Sequence, residues 1–464
     1  MTQDSLETLT TTLFSDRARF QRWLDVEASL ARAQGSLGLI PELAAESISS
    51  KARVDLLDLT RYQDLYRESG HPMVAFLRTF QPIVGGEAGQ FVHMGATTQD
   101  IMDTATMIAL RDAHGAFYRS LWRIEGSLLD LAEQHADTVM VGRTHGVQAL
   151  PITFGYKVAI WAREIRRNIE RLEQCGERMF VLQLSGAVGT MAAFGPRGPK
   201  IQALVAQDLG LSVPDICWHA SRDRFAEFAN LLALVGGALG RIAQEIYLLM
   251  ATEVDELREP WESGVVGSST MPHKVNPQAC QTMMSLARRL RYDAAFVTEV
   301  MVVDHERNLE HFLGEMEALE RACRAMGELL AIAERVARGL TVNTTMMRRN
   351  LHLLKGLLLS ESVMIELGRH VGKQTAHEIV YEDAMAAMQG DASFLDVLLA
   401  DPRVNEYLAK DEVELLLDPD RYVGLAAQMA RDAVSLSRLA RSRDVVASGL
   451  TENPAVLPIY AYYI

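Results

Sequence analysis

Cysteines are scarce in this sequence and stand far apart. Among 464 residues only four are cysteine, namely Cys175, Cys217, Cys280 and Cys323. No two of them have the C-x-x-C spacing of a zinc site or of a thioredoxin-like redox centre. This scarcity argues against a small disulfide framework and favours a protein of a reducing compartment.

Basic residues are also in short supply relative to acidic ones. The chain has 46 lysine and arginine residues against 60 aspartate and glutamate residues, which gives a formal net charge of −14. Nucleic-acid binding depends on basic surfaces, so we expect no nucleic-acid partner. A small anionic substrate remains compatible with this charge, because salt screens distant charges and the groups next to a ligand decide its binding.

Targeting and membrane segments are missing as well. The first residues carry no basic and apolar signal segment, and no uninterrupted apolar run reaches the length of a membrane span. We therefore expect a soluble, cytoplasmic protein with no membrane partner.

Motifs for a metal or a nucleotide cofactor are absent too. The glycines within residues 186–190 do not form a G-x-G-x-x-G motif, and no β-α-β pattern surrounds them. The chain has no Walker lysine motif and no H-E-x-x-H, and the spacing of His305, Glu306 and His311 does not suit a helical zinc pair. The sequence therefore predicts neither a metal nor an organic cofactor.

What the sequence does have is helical periodicity. Apolar residues recur at spacings of three and four, and they predict long helices from Pro151, from Arg222 to about Pro260, and from Pro277 to about Val302. Period-two strand signals are nearly absent. Long helices with wide apolar faces predict an all-α bundle, and a chain of this length is expected to form two or three structural units.

Two local patterns refine this helical prediction. Gly236, Gly237 and Gly240 interrupt the second long helix, and close approach of a neighbouring helix is one reason to tolerate them. Further along, residues 367–370 and 374–378 predict a pair of short helices.

A loop at residues 267–277, with the sequence GSSTMPHKVNP, separates two of the long helices. Successive backbone N–H groups in such a glycine- and serine-containing turn form a concave, positive nest. Lys274 adds a point charge, and Asn276 can both donate and accept hydrogen bonds. The loop is therefore a candidate anion site, and the alternative is an ordinary Gly/Ser/Pro connection.

Two hydroxyls and an amide, Thr97, Thr98 and Gln99, open another predicted helix. Free N–H groups and hydroxyls at a helix start favour a carboxylate ligand. The alternative is a helix start with several capping residues and no ligand.

Two histidines stand at turns. His145 lies in the segment GRTHGVQ just before a long helix, where a neutral imidazole can exchange a proton near pH 7. His71 stands between Gly70 and Pro72, which predict a turn. The alternatives are a hydrogen-bonded structural histidine for His145 and a surface histidine for His71.

Three motifs together resemble the fumarase/aspartase superfamily. The loop pattern G-S-S-x-M-P-x-K-x-N-P resembles the superfamily signature, G-R-T-H-G resembles its adenylosuccinate lyase version of a second motif, and residues 92–100 resemble its first carboxylate-binding segment. The resemblance covers nearly the whole chain and is nearest the adenylosuccinate lyase and 3-carboxy-cis,cis-muconate cycloisomerase branch. It implies a homotetramer of mainly helical three-domain subunits around a central helix bundle, with sites shared between subunits. The implied domains are an N-terminal helical domain at 1–108, a helix-bundle domain at 109–355 and a C-terminal helical domain at 356–464.

The resemblance also implies roles for single residues. Ser268 is the implied base on a mobile loop, and His145 is the implied proton donor to the leaving group. The residues implied to bind a small dicarboxylate substrate are His71, Thr97, Thr98, Gln99, Thr144, Lys274, Asn276 and Arg307.

The chain departs from the family pattern at three positions. Gln281 stands where lyases of the group carry a glutamate that pairs with the acid histidine. Phe312 and Met316 stand where adenylosuccinate lyases hold the nucleotide phosphate with Ser and Arg, and this argues against a nucleotide substrate. Carboxymuconate cycloisomerases, in turn, typically lack the acid histidine that this chain has at position 145.

Three functions follow from these features. The first is a lyase that releases fumarate from an N-substituted aspartate or a related succinyl compound, and the second is a cycloisomerase that lactonises a carboxymuconate. The third, a non-enzymatic protein on the same scaffold like some lens crystallins, is disfavoured by Ser268 and His145. His145 favours the lyase, and Gln281 weakens that interpretation.

Overall fold

The computed structural model describes residues 4–261, 270–271 and 273–444. Its helices are, in chain order, α1 (Asp4–Leu13), α2 (Asp16–Ser36), α3 (Glu42–Lys51), α4 (Leu59–Ser69), α5 (Pro72–Val84), α6 (Thr98–Gln134), α7 (Phe154–Met179), α8 (Gly198–Leu209), α9 (Asp223–Leu249), α10 (Gln278–Glu299), α11 (Leu309–Gly339), α12 (Thr344–Leu351), α13 (Ser360–Val371), α14 (Lys373–Gln389), α15 (Phe394–Ala400), α16 (Pro402–Asn405), α17 (Lys410–Leu416) and α18 (Ala426–Arg441). The strands are β1 (Val139–Thr144), β2 (Val147–Thr153), β3 (Leu257–Arg258) and β4 (Thr341–Val342), paired antiparallel as β1–β2 and β3–β4. The prediction of an all-α fold is confirmed.

The five longest helices form the central bundle. Helix α9 packs along α10, α10 along α11, and α6 along both α7 and α11. Two glycines explain how closely α9 and α10 approach. A Cβ at Gly236 would lie 2.7 Å from Leu290 Cδ1, and one at Gly240 would lie 2.8 Å from Ala287 Cβ. The predicted close approach is therefore confirmed at these two positions, whereas nothing lies within 4 Å of such an atom at Gly237.

Helix α9 is also long and apolar enough to cross a membrane, by length and composition alone. Its most apolar window is 61% buried inside the protein, as expected for a core helix of a bundle. The cytoplasmic location stays a prediction.

The β1–β2 hairpin corrects the prediction of a helix from Pro151. Helix α7 starts at Phe154, and the Thr153 hydroxyl caps it by accepting the Tyr156 N–H at 3.2 Å. Pro151 instead lies in β2, opposite Val141. A two-stranded ribbon has only edge strands, so it tolerates a residue without an N–H. This hairpin was not predicted, because period-two strand signals are nearly absent from the sequence.

The buried apolar side chains form one large core that includes the bundle and a smaller core at residues 363–413. The smaller core lies between α13, α14 and the short helices after them, and the predicted pair of short helices is confirmed as α13 and α14. The predicted domain boundary at residue 108 falls inside α6, and the three-domain division stays a prediction.

Candidate active site

The start of α6 carries the two predicted threonine hydroxyls. Thr97 is the N-cap residue in extended conformation, and its N–H donates to Asp100 Oδ2 at 3.0 Å. Thr98 is the first residue of this 37-residue helix, and both threonines are half-buried. The positive end of the helix dipole therefore lies next to two hydroxyl groups.

Asp100 holds this helix start against a neighbouring loop. Its carboxylate accepts hydrogen bonds at 2.9 Å from the backbone N–H groups of Ser185 and Gly186 and from His219 Nε2. Burial opposes a charge on His219, but hydrogen bonds with Asp100 and Cys217 outweigh it and raise the pKa of His219 to about 9. The His219 imidazole is therefore protonated and positively charged near neutral pH. We did not predict Asp100 or His219; the available signal was an acid two residues after Thr98.

Arg307 reaches the same helix start from the segment before α11. Its Nη1 donates to Thr97 Oγ1 at 3.3 Å, and its Nη2 donates to the Ala187 carbonyl at 2.6 Å. The guanidinium is exposed, so it can also meet a ligand. The structure thus brings three of the predicted binding residues, Thr97, Thr98 and Arg307, to one place.

The Gln99 side chain, unlike those of Thr97 and Thr98, is buried inside the protein. It is only 4% exposed, and its Nε2 donates to Asp103 Oδ2 at 3.0 Å and to the His219 carbonyl at 2.9 Å. Next to it, the buried Arg222 binds Asp103 at 2.6 Å and Glu315 at 2.5 Å. Gln99 therefore belongs to the buried network under the site, and its contact with substrate stays a prediction.

His145 stands at the tip of the β1–β2 hairpin. Thr144 pairs with Val147, which leaves His145 and Gly146 as a two-residue turn with φ of +54° and +82°. Positive φ at both positions is the mark of a tight hairpin turn. His145 and Thr144 are exposed, and no hydrogen bond among the described residues joins either to the α6 start.

The hairpin is anchored close to its tip, at Arg143, which pairs with Gln148 next to the Thr144–Val147 pair. The Arg143 guanidinium binds the buried Glu256 carboxylate through two hydrogen bonds of 2.8 and 2.9 Å. Asn350 Nδ2 donates to the same carboxylate at 2.7 Å. The hairpin tip, His145 and Gly146, is thus supported by a charge-assisted network around the buried Glu256.

The described part of the signature loop lies just before α10. Glu259, which is 7% exposed, caps that helix by accepting the N–H groups of Ala279 and Cys280, each at 3.0 Å. Lys274 is exposed and Asn276 half-buried, whereas Ser268 lies outside the described residues. The Glu259 cap was not predicted, because only the fold brings it to the helix start.

Two further residues have simple surroundings. His71 is exposed and is the N-cap residue of α5, where its Nδ1 accepts the Val74 N–H at 3.3 Å. Gln281 is exposed on the first turn of α10, and among the described residues no hydrogen bond joins it to His145. The predicted roles of His71, Thr144, His145, Lys274 and Asn276 stay predictions.

The chain is similar in sequence and fold to known proteins of one family. The lyase family model matches residues 8–291, and the model of the adenylosuccinate lyase C-terminus matches residues 356–433. An N-acetyl-S-(2-succino)cysteine lyase from Enterococcus italicus is 42% identical over 91% of this chain and 93% of its own. A 3-carboxy-cis,cis-muconate cycloisomerase from Pseudomonas aeruginosa is 37% identical over 91% of this chain and 93% of its own. The crystal structure of a fumarate lyase from a Mesorhizobium species superposes with a TM-score of 0.86 at 37% identity, covering 92% of this chain and 97% of that one. With the long-helix bundle and the shared motifs, these matches show that the chain belongs to the fumarase/aspartase superfamily of lyases.

Proposed function

We propose that the protein releases fumarate from a substituted succinate whose leaving group is attached through sulfur or nitrogen. The observation that carries the proposal is the contact between Arg307 and the Thr97 hydroxyl at the N-terminus of α6, 3.3 Å apart. A cation, two hydroxyls and a helix dipole in one place suit a substrate carboxylate. The relatives named for lyase activity on a succino-cysteine compound support the same chemistry.

The reaction needs stabilisation of negative charge. A base removes a proton from the carbon next to one carboxylate, the bond from the neighbouring carbon to sulfur or nitrogen breaks, and fumarate is left. The intermediate dianion is costly unless fixed donors surround it. Thr97, Thr98 and Arg307 are such donors in this chain, and Lys274 and Asn276 are further candidates. We assign the base to Ser268, whose alkoxide the loop N–H groups and Lys274 would stabilise.

The residue at position 281 favours sulfur over nitrogen as the leaving atom. An amine must be protonated before it departs, whereas a thiol with a pKa of about 8.5 can leave as its thiolate. Gln281 replaces the glutamate that orients the acid histidine in the C–N lyases of the group, so His145 is a less assisted acid here. A thiol leaving group needs less of that assistance.

A site shared between subunits would account for the position of His145 at the hairpin tip. His145 lies exposed at the hairpin tip, and no hydrogen bond among the described residues joins it to the α6 start. We infer a homotetramer in which hairpin tips and signature loops from other copies complete each site. Lactonisation of a carboxymuconate is the second candidate, because a cycloisomerase is 37% identical over 91% of this chain.

A fumarate-release assay, read by ultraviolet absorbance, tests the proposal. The panel contains N-acetyl-S-(2-succino)cysteine, argininosuccinate, adenylosuccinate and a carboxymuconate. We expect fumarate from the succino-thioether, and a strong loss of kcat/KM in Arg307→Gln but not in Arg421→Gln, a variant of an exposed arginine in a different segment. Lactone from the carboxymuconate with no fumarate from any adduct would replace the lyase with the cycloisomerase.

A further inference from the structure

A cavity of about 240 Å³ lies beside the candidate site, between α2, α4, α6 and α11. Three of its lining residues lie on helices that begin at or soon after residues predicted to bind substrate. They are Pro72 after His71, Met102 one turn of α6 beyond Thr98, and Met316 in the helix that follows Arg307. One helical turn is ~5.4 Å, so a substrate held at Thr98 has the cavity within reach of its remaining atoms.

Arg22 places a positive charge beside this cavity, and the carboxylates of Asp112, Glu320 and Asp25 lie near enough to favour that charge. Its Nη2 donates to the Leu13 carbonyl at 2.6 Å, while its buried Nε has no hydrogen-bond partner among the described residues. None of the ion pairs within the described ranges includes Arg22. Burial lowers the pKa of Arg22 to about 10, which still leaves the guanidinium charged at neutral pH. A charge held in this way is costly unless something pairs with it.

The other charged groups of the cavity largely cancel each other. Glu320 is the carboxylate of the lining, and it lies 3.6 Å from Arg19 and 3.9 Å from Arg324. Arg19 also binds Asp16 at 2.6 Å. The lining side chains therefore carry one net positive charge, and Arg22 is the lining cation without an ion pair among the described residues.

The remaining wall is aromatic and apolar. The rings of Tyr62 and Tyr66 are stacked with centroids 6.2 Å apart, and Trp23 completes that side. Burial raises the pKa of Tyr62 to about 12, so its phenol stays protonated and can donate a hydrogen bond. Across the cavity stands Met316, at the position where adenylosuccinate lyases hold the nucleotide phosphate with arginine. In this chain a cation of the lining, Arg22, lies on α2 instead. The cavity volume is below the ~300 Å³ at which pockets for larger ligands begin.

We propose that this cavity binds the leaving group, and that Arg22 binds a carboxylate at its far end. The inference rests on the proposed function and narrows its substrate to succinyl adducts of small, partly apolar thiols or amines that carry a carboxylate. Arg22 is then a specificity residue, because it touches the part of the substrate that does not react.

A matched substrate pair tests the inference. N-acetyl-S-(2-succino)cysteine is compared with the analogue whose cysteine carboxylate is a primary amide. A charge-assisted bond to arginine predicts that the wild type prefers the acid by about 10- to 100-fold in kcat/KM. Arg22→Gln should lose that preference through KM with the amide nearly unaffected, and Arg22→Lys should keep part of it. Arg17→Gln, a change on the same helix at an arginine whose side chain is 61% exposed, should keep all of it.

Direct binding separates this inference from the proposed function. N-acetylcysteine and its amide are titrated calorimetrically into wild type, Arg22→Gln and Ser268→Ala. Selective binding of the acid that Arg22→Gln removes supports the pocket even if no adduct is turned over, in which case only the proposed function fails. Turnover without any preference for the acid, an equal preference in Arg22→Gln, or no binding of either compound overturns the pocket. Thermal unfolding controls for folding: Arg22→Gln should stay folded at the assay temperature, since glutamine keeps an N–H donor that can reach toward the Leu13 carbonyl.

Discussion

Replacing Asp100 by asparagine should show how strongly the start of α6, the candidate substrate-binding segment, depends on one buried carboxylate. Asp100 accepts four hydrogen bonds of 3.0 Å or less, from the N–H groups of Thr97, Ser185 and Gly186 and from His219 Nε2. Asparagine keeps one acceptor oxygen and turns an NH₂ group toward N–H donors. It also leaves the His219 imidazolium without its counter-charge.

The expected loss of stability is large. Removing one partner of a buried ion pair costs about 3–5 kcal/mol, because the other charge stays buried. The free energy of unfolding is measured by urea titration at one fixed chain concentration, since assembly contributes to the apparent stability. The control is Asp58→Asn: Asp58 caps α4 in an exposed position by accepting the Arg61 N–H at 3.0 Å, and asparagine is an equally good cap. That variant should lie within about 0.5 kcal/mol of the wild type.

The effect should also depend on pH in one direction. The folded pKa of His219 is raised to about 9, above the ~6.5 of an unfolded histidine. Stabilisation from a raised histidine pKa is complete below the unfolded value and is lost as pH rises through the folded value. The gap between wild type and Asp100→Asn should therefore narrow between about pH 6.5 and pH 9.5. A loss below about 1 kcal/mol at pH 7, or a gap that widens with rising pH, would refute this account.

Three further outcomes follow from single residues. Iodoacetamide should alkylate Cys217 first in the native protein. Burial disfavours the Cys217 thiolate, but hydrogen bonds with His219 lower the pKa of this thiol, whereas burial raises the pKa of the other three cysteines. Peptide mapping that finds equal labelling of the four cysteines would contradict this. Ser268→Ala and His145→Asn should each lose most fumarate release while keeping their circular dichroism, and mixed refolding of the two inactive chains should recover activity if sites are shared; a mixture that stays inactive argues against sharing. Gly155→Ala should lower the melting temperature by several degrees, because the new Cβ would lie 2.4 Å from the Ala132 carbonyl oxygen; an unchanged melting temperature would show that the two helices can move apart.

The helices were predictable because their signals are local. The apolar periodicity predicted α9 and α10, and the glycines at 236, 237 and 240 suggested a close helix approach, which the structure has at two of the three. The β1–β2 hairpin was missed for the opposite reason. Its alternation is short and contains a proline, and contacts far away in sequence, such as that of Arg143 with Glu256, hold it in place.

The candidate site likewise has some residues that could be predicted from the sequence and others that could not. Two hydroxyls at a helix start can be read from neighbouring residues, and the structure does place Thr97 and Thr98 there. The partner of Thr97 could not be read in this way, because Arg307 is 210 positions away, and His219 is 119 positions from Asp100. Such pairs depend on how the helices pack, which periodicity alone does not encode.

The anchoring of the hairpin is the structural argument for a site shared between chains. Arg143, Glu256 and Asn350 fix the strand next to its tip with charge-assisted hydrogen bonds of 2.7 to 2.9 Å. Yet its tip projects outward, with His145 exposed and the apolar Val147 beside it 63% exposed. The strand before the tip is therefore held rigidly, while among the described residues no hydrogen bond joins the His145 side chain to its own subunit. The same rigidity would hold an imidazole at a defined place in the site of a neighbouring copy, with Val147 covered by the contact, and this is the arrangement that mixed refolding tests.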